Sequence, residues 1–113
     1  MSAKLSGLTE RQLYGLRRRL AAGVQDPALT LRGVLVSDMR RCSGERCRCR
    51  SGELHGPYSY LTVYSSGRSR MVYVPKVMAA VAAERVEVTQ RNEALLLEIS
   101  QVNLELLRRR ALG

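Results

Sequence analysis

The chain has 113 residues and carries 19 Lys and Arg against 10 Asp and Glu, a formal net charge of +9 that comes mostly from arginine. This length fits one domain and excludes a two-domain enzyme, and a hydrophobic content of 45% excludes a wholly disordered chain. Because Trp and Phe are absent, the core must be aliphatic, so we expect a metal ion or a second chain to add stability. The positive charge predicts a polyanionic partner.

The sequence predicts a cytoplasmic protein. No hydrophobic run reaches the ~18 residues that a membrane span needs. The first residues lack the apolar segment of a signal peptide, and an odd number of cysteines argues against a disulfide framework. We therefore expect reduced thiols, no membrane contact and no small-molecule substrate.

Residues 1–28 are predicted to form an N-terminal helix and a turn within a single domain of 1–113. Leucines recur at helical spacing between 9 and 22: Leu13, Leu16 and Leu20. Thr9 fits the N-cap and Gly23 a stop signal. Arg17, Arg18 and Arg19 cover much of the other side of this helix.

Residues 29–75 predict a small antiparallel sheet of about three strands. The run 29–37 is apolar and β-branched, and ends before charged residues. Two further runs, 58–64 and 70–74, flank a short loop that contains Gly67, which is typical of a β-hairpin. The fold class is therefore α+β, with a long C-terminal helix after the sheet.

Tyrosines alternate along the first strand of this hairpin, so Tyr58, Tyr60 and Tyr64 share one face. That face could stack nucleic-acid bases. We favour the alternative, that it packs on a helix, because the chain has few other large side chains for a core. Arg68 and Arg70, beside the hairpin turn, would suit phosphate contacts.

The last element, 76–111, begins after Pro75, contains no Pro or Gly, and would extend about 54 Å as a helix. Its length favours a homodimer over a helical hairpin within one chain, and the charge pattern settles neither orientation nor oligomer order. Asn92 fits the buried asparagine that fixes register in two-stranded coiled coils. Apolar residues in this helix follow a heptad pattern, whose a and d positions would form the seam of the dimer. The predicted oligomerisation residues are Met78, Val81, Val88, Asn92, Leu95, Ile99, Val102 and Leu106.

The three cysteines and the single histidine of the chain lie within 14 residues, as Cys42-x4-Cys47-x-Cys49-x5-His55. Three thiolates and an imidazole make the four-ligand set of structural zinc, with no open position for catalysis. Buried apolar cysteines, a catalytic Cys–His pair and an iron–sulfur cluster are weaker alternatives. We predict one structural Zn²⁺ per chain.

The segment around these residues is strongly basic. Between positions 40 and 50 it carries Glu45 and five arginines: Arg40, Arg41, Arg46, Arg48 and Arg50. Arginine suits phosphate recognition, and together with Arg68 and Arg70 these residues form the predicted nucleic-acid-binding set. The final triplet, 108–110, either favours the helix dipole or adds a basic tail.

From about residue 31 to 107 the chain resembles a family of small bacterial and archaeal proteins of unknown function. The resemblance rests on Gly33-Val-Leu35, the Cys42–Cys49 loop, His55-Gly-Pro-Tyr58, the hairpin, and Val74-Pro75 before a long helix. Members usually have Gly-Lys directly after the first cysteine, where this chain has Ser43-Gly44-Glu45. The resemblance implies no established activity, and its association with transposases favours DNA binding.

These observations predict a non-enzymatic, dimeric, zinc-stabilised DNA-binding protein that acts as an accessory to a transposase or recombinase. RNA is the alternative nucleic acid, because arginines directed at phosphates do not distinguish the two. The alternative function is a protein-interaction module, in which the long helix recruits a larger protein and zinc is purely structural.

Overall fold

The computed structural model describes residues 5–40 and 55–113. The elements in chain order are α1 (Glu10–Ala22), β1 (Val34–Arg40), β2 (His55–Ser65), β3 (Arg68–Val74) and α2 (Ala79–Arg108). The protein is therefore α+β, with a three-stranded antiparallel sheet and a long C-terminal helix, as predicted. Backbone contacts divide the chain into a helical unit, residues 1–29 and 88–113, and a sheet unit, residues 30–87.

Helix α1 begins and ends where the sequence predicts. The Thr9 hydroxyl accepts a hydrogen bond from the Gln12 N–H at 3.1 Å, and the Gln12 side chain accepts one from the Thr9 N–H at 2.8 Å. This capping box satisfies two N–H groups that the first turn leaves without helical partners. Gly23 is the C-cap.

The core of the helical unit joins α1 to the C-terminal half of α2. Its buried side chains are Leu5, Leu13, Val102 and Leu106, and Leu13 and Leu106 are fully buried. Partly buried leucines of the first turns and of α1 pack around them: Leu8, Leu16 and Leu20. The leucine period that predicts α1 therefore marks the side that faces α2.

Strand β1 starts and ends later than predicted. Residues Pro27–Leu29 form a 3-10 turn, in which the Ala28 N–H donates to the Asp26 carboxylate at 2.9 Å. The apolar residues before Val34 are thereby kept out of the sheet. The strand continues through Asp38 to Arg40 because β1 is an edge strand whose residues 36–39 are exposed, so charge there costs little.

The predicted hairpin is present, with a tighter turn than expected. Strand β2 pairs with β3 as far as Ser65 and Arg68, which leaves a two-residue turn, Ser66-Gly67. Both turn residues have positive φ, 53° and 75°, as the type I′ turn requires. The glycine is the part of this turn that the sequence identifies.

The core of the sheet unit lies between one face of the sheet and the first turns of α2. Leu61 and Val74 from the sheet meet Ala82 and Val86 from the helix. Gly33, at φ +149°, sits against this core, and a Cβ there would come within 2.8 Å of both the Leu61 side chain and the Thr62 carbonyl oxygen. A glycine is required here for space and for backbone conformation.

Helix α2 ends three residues earlier than predicted. The Arg110 N–H donates to the Leu107 carbonyl at 3.0 Å, and the Ala111 N–H to the Leu106 carbonyl at 2.8 Å, while Arg110 takes a φ of 58°. This is the Schellman arrangement, with arginine in the place that glycine usually fills. Among the described residues, no helix is long and apolar enough to cross a membrane.

Candidate functional site

The sheet unit has a second face, which we call the tyrosine face. Paired residues of an antiparallel sheet point to the same side, so the register defines its members. One row across the three strands is Val36–Tyr60–Tyr73, and the next is Val34–Thr62–Met71. At the two ends of β2, Tyr58 pairs with Asp38 and Tyr64 pairs with Ser69.

Our expectation that the tyrosines pack on a helix is wrong. The helix packs on the opposite face, which carries Leu61 and Val63, because side chains alternate along β2. Tyr64 is 72% exposed and Tyr73 is 53% exposed, whereas Tyr58 and Tyr60 are half-buried. The rings of Tyr60 and Tyr73 meet edge to face, with centroids 5.8 Å apart.

Aliphatic side chains extend the tyrosine face to both edge strands. Val34 and Met71, on either side of Thr62, are each about half exposed, and Val36 is 40% exposed. Together with Tyr64 and Tyr73, these side chains expose apolar area around the half-buried Tyr60 and Thr62, and clustered exposed apolar area often marks a binding site. The face offers flat, apolar area together with phenol hydroxyls, which suits planar ligands with polar edges.

The predicted phosphate-binding arginines of the hairpin lie on the other side of the sheet. Arg70 pairs with Val63 and Arg68 with Ser65, so both leave the sheet on the side of Leu61. Both are exposed and adjoin the turn at the end where Tyr64 lies. They therefore lie at the Tyr64 end of the sheet, on the face opposite the tyrosines.

The predicted metal ligands Cys42, Cys47 and Cys49 lie outside the described residues, as do Arg41, Arg46, Arg48 and Arg50. For Arg40 and His55 the structure provides the backbone alone, and their Cα atoms are partners in the β1–β2 ladder. The described residues contain no group of three or more metal-ligating side chains. Arg40 and His55 flank residues 41–54, which we call the cysteine segment. Their pairing therefore places the two ends of this segment side by side, at the end of the sheet where Tyr58 lies.

Four of the predicted oligomerisation residues are buried within the single chain: Val88, Asn92, Val102 and Leu106. Val102 and Leu106 belong to the core with α1. The Asn92 side chain accepts a hydrogen bond from the Gln25 N–H at 2.9 Å and donates one to the Gln25 carbonyl at 3.0 Å. Its burial is thus explained inside one chain.

The other predicted positions are less buried. Val81, Leu95 and Ile99 are intermediate, and Met78 is 49% exposed. Leu95 lies close to Gly23, at the end of α1. Much of the predicted dimer seam is therefore buried by the helical hairpin within one chain. This hairpin is the alternative that sequence reasoning ranked second.

Sequence reasoning missed the structural role of Arg109. Its guanidinium donates to the backbone carbonyls of Leu8, Leu5 and Ser6, at 2.6 to 3.1 Å, and its Nε donates to the buried Glu105 carboxylate at 2.7 Å. The four-residue spacing of Glu105 and Arg109 is the signal that could have separated this arginine from its two neighbours.

Two more polar groups of the helical unit have partners in the same unit. Arg17 donates to the Asn103 side chain at 2.9 Å and lies over the Tyr14 ring, 5.2 Å from its centroid. The Tyr14 hydroxyl donates to the Ala111 carbonyl. Of the three consecutive arginines in α1, Arg18 and Arg19 remain exposed and available to an anion.

A comparison with protein families matches residues 9–83 to a family described as a domain of unknown function (DUF6788). This stretch includes α1, the three strands, the cysteine segment and the first turn of α2, and ends before the C-terminal half of that helix. Comparisons with curated proteins and with solved structures find no match. Since the matched residues make up more than half of the sequence, the chain belongs to the DUF6788 family.

Proposed function

We propose that the protein is a non-enzymatic nucleic-acid-binding protein whose tyrosine face stacks on unpaired bases. The observation that carries the proposal is that α2 packs on the opposite side of the sheet and leaves Tyr64 and Tyr73 largely exposed. Aromatic rings on a small sheet bind single strands by stacking, which contributes about 1–3 kcal/mol per base and requires no particular base sequence.

The dimensions of the face favour a short single strand. From Tyr58 to Tyr64 the rise of β2 is about 20 Å, at roughly 3.3 Å per residue, so a few successive bases can be accommodated. A duplex hides its base faces in the stack and cannot use this surface. The proposal therefore narrows the predicted nucleic-acid ligand to single-stranded DNA or RNA.

Arginines near both ends of β2 support the same ligand, although Asp38 also lies on the tyrosine face, beside Tyr58. Arg68 and Arg70 lie at the Tyr64 end on the opposite side of the sheet, and their long side chains would reach round the edge strand β3. The opposite end, at Tyr58, is where the chain leaves β1 for the segment that contains Arg41, Arg46, Arg48 and Arg50, and where it returns. Phosphates of a strand that continues past the ends of β2 would come within reach of these arginines, which matches the net charge of +9.

A structural zinc ion at Cys42, Cys47, Cys49 and His55 is part of the proposal. The pairing of Arg40 with His55 supports it, because Cys42 follows Arg40 by only two residues. The first and last ligands are therefore within a few residues of neighbouring strand positions, and the other two lie on the short segment between. When bound, the ion would supply stability and no chemistry.

Equilibrium binding to labelled oligonucleotides tests the proposal. Fluorescence anisotropy should show that single-stranded DNA and RNA bind at low salt, more tightly than a duplex, and that affinity falls as salt rises. Tyr64→Ala and Tyr73→Ala should each weaken binding by about 5- to 100-fold. Arg68→Ala should lower the salt dependence by about one phosphate contact.

Val72→Ala is the matched control, because Val72 adjoins Tyr73 but points to the other face and is 41% exposed. It should bind as the wild type does. Absence of binding at low salt, or tyrosine variants that bind as well as Val72→Ala, would contradict the proposal.

The zinc site has its own test. Metal analysis of the purified chain should give one zinc ion per chain, and Cys47→Ser should lower both metal content and thermal stability. Zinc-free protein of unchanged stability would remove the metal from the proposal and leave the tyrosine face to be judged by the binding experiment.

A further inference from the structure

Helix α2 carries a row of exposed leucines in the helical unit, which we call the leucine stripe. Its members are Leu96, Leu97, Leu104 and Leu107, and each is at least half exposed. Leu97 is nine residues from Leu106, or two and a half helical turns, so the two side chains leave opposite sides of the helix. Leu106 is fully buried against α1, and the stripe therefore faces away from that core.

We propose that a second copy of the chain docks antiparallel on the leucine stripe. The stripe lies beyond residue 83, outside the part that matches the family. It is also a different surface from the seam predicted by the heptad pattern, whose residues Val102 and Leu106 are already buried within the chain.

The order of residues along the stripe is symmetric in a way that suits a second copy. Glu93 precedes Leu97 by four residues, and Arg108 follows Leu104 by four residues. An antiparallel pair centred between Ser100 and Gln101 places Leu97 against the second copy's Leu104. It also places Glu93 against the second copy's Arg108, and both contacts occur twice.

Charge separates this arrangement from a parallel one. A parallel pair would bring Glu93 next to its own equivalent and Arg108 next to its own, and like charges at close range oppose association. The Arg108 side chain is 74% exposed and lies 3.7 Å from the Glu105 carboxylate, so it can reach a partner. Ser100, at the centre, is small enough to let two helices approach closely.

A second copy would also enlarge the small hydrophobic core of the helical unit. Its buried core consists of Leu5, Leu13, Val102 and Leu106, which join two helices. Two helical hairpins packed through α2 would form a four-helix arrangement, and the leucines of both stripes would become its core. Burial of these leucines is the source of affinity.

Sedimentation equilibrium of the full chain over a range of concentrations tests the proposal. The wild type should be a dimer, and Leu97→Glu should raise the dimer dissociation constant by at least about 100-fold. Val77→Glu is the control, since Val77 is 89% exposed and lies in the sheet unit, so its dimer should be unchanged. Far-ultraviolet circular dichroism should show unchanged helix content in both variants, because the side chains replaced are exposed.

Charge exchange tests the orientation. Glu93→Arg and Arg108→Glu should each weaken the dimer by about 5-fold, and the double exchange should restore it. A wild type that stays monomeric at all concentrations, or a Leu97→Glu dimer as tight as the wild type, would overturn the proposal. Single exchanges without effect would overturn the antiparallel arrangement, since a parallel pair exchanges one like-charge contact for another. Oligonucleotide binding by a monomeric Leu97→Glu variant reports on the proposed function separately.

Discussion

The helical unit and the sheet unit differ in how they use polar and aromatic side chains. In the helical unit, Tyr14, Arg17, Asn92 and Arg109 each bind a group of the same unit. In the sheet unit, α2 covers one face of the sheet, and Tyr64 and Tyr73 of the other face remain exposed, while Tyr58 and Tyr60 are half-buried. An exposed large side chain without a structural task is the better candidate for function.

The same difference shows that part of the net positive charge is not available to a polyanionic partner. Arg17 and Arg109, which composition alone counts as available to a polyanion, are already bound within the chain. Arg68 and Arg70 remain exposed at the hairpin. The proposed binding function therefore uses the arginines of the sheet unit and of the basic segment attached to it, and Arg18 and Arg19 of α1 also remain available.

In the sheet unit, the largest effect on stability is expected at Gly33. Gly33→Ala should lower the free energy of unfolding of the sheet unit by about 3 kcal/mol, because strained backbone and overlap with Leu61 each cost about 1–3 kcal/mol. Hydrogen exchange should show lost protection of amides in β1 and β2.

Gly67→Ala is the matched control for Gly33→Ala. Gly67 also has positive φ, but nothing lies within 4 Å of an added Cβ, so the cost should be about 1–2 kcal/mol, from backbone conformation alone. If both variants lose the same free energy of unfolding, the overlap with Leu61 contributes nothing to the destabilisation at Gly33.

In the helical unit, the largest polar effect should come from Arg109. Arg109→Ala removes the donors to three backbone carbonyls and leaves the buried Glu105 carboxylate without its partner. We expect a loss of about 2–3 kcal/mol in denaturant unfolding. Arg91→Ala, at an exposed position of the same helix, should stay within about 0.5 kcal/mol of the wild type. A loss at Arg91 as large as that at Arg109 would contradict the structural role of Arg109.

A smaller effect is expected at Asn92. Asn92→Asp keeps an acceptor for the Gln25 N–H but loses the donor to the Gln25 carbonyl, and should cost about 1–2 kcal/mol. Its oligomeric state should equal that of the wild type, because the hydrogen bonds lie within one chain. A changed oligomer order would instead support the register role that the heptad pattern predicts.

Elements with strong local signals could be predicted from the sequence. The Thr9 cap, the leucine period of α1 and the glycine of the hairpin turn specify structure over a few residues, and all three are observed. The start of β1 could not be predicted, because the hydrogen bond from Ala28 to Asp26 competes with strand formation in an apolar run. The C-terminus of α2 was misplaced since Arg110, and not glycine, takes the left-handed conformation.

The candidate site could be predicted only in part. Alternation along β2 groups the tyrosines on one face, but both faces of the strand are apolar, so the pattern cannot say which one α2 covers. Likewise, the heptad pattern indicates that Asn92 is buried without identifying its partner. Both questions depend on contacts between residues far apart in the sequence, which no local pattern contains.

Tyrosine fluorescence during titration with a single-stranded oligonucleotide tests the central claim most directly. The chain has five tyrosines and no tryptophan, so its emission reports on tyrosine alone, and four of the five lie on the tyrosine face. Stacked bases should quench this emission in step with binding measured by anisotropy, and Tyr64→Ala should reduce the quenching. Binding that leaves the emission unchanged would show that only phosphates are contacted, and would contradict a base-stacking role for the tyrosine face.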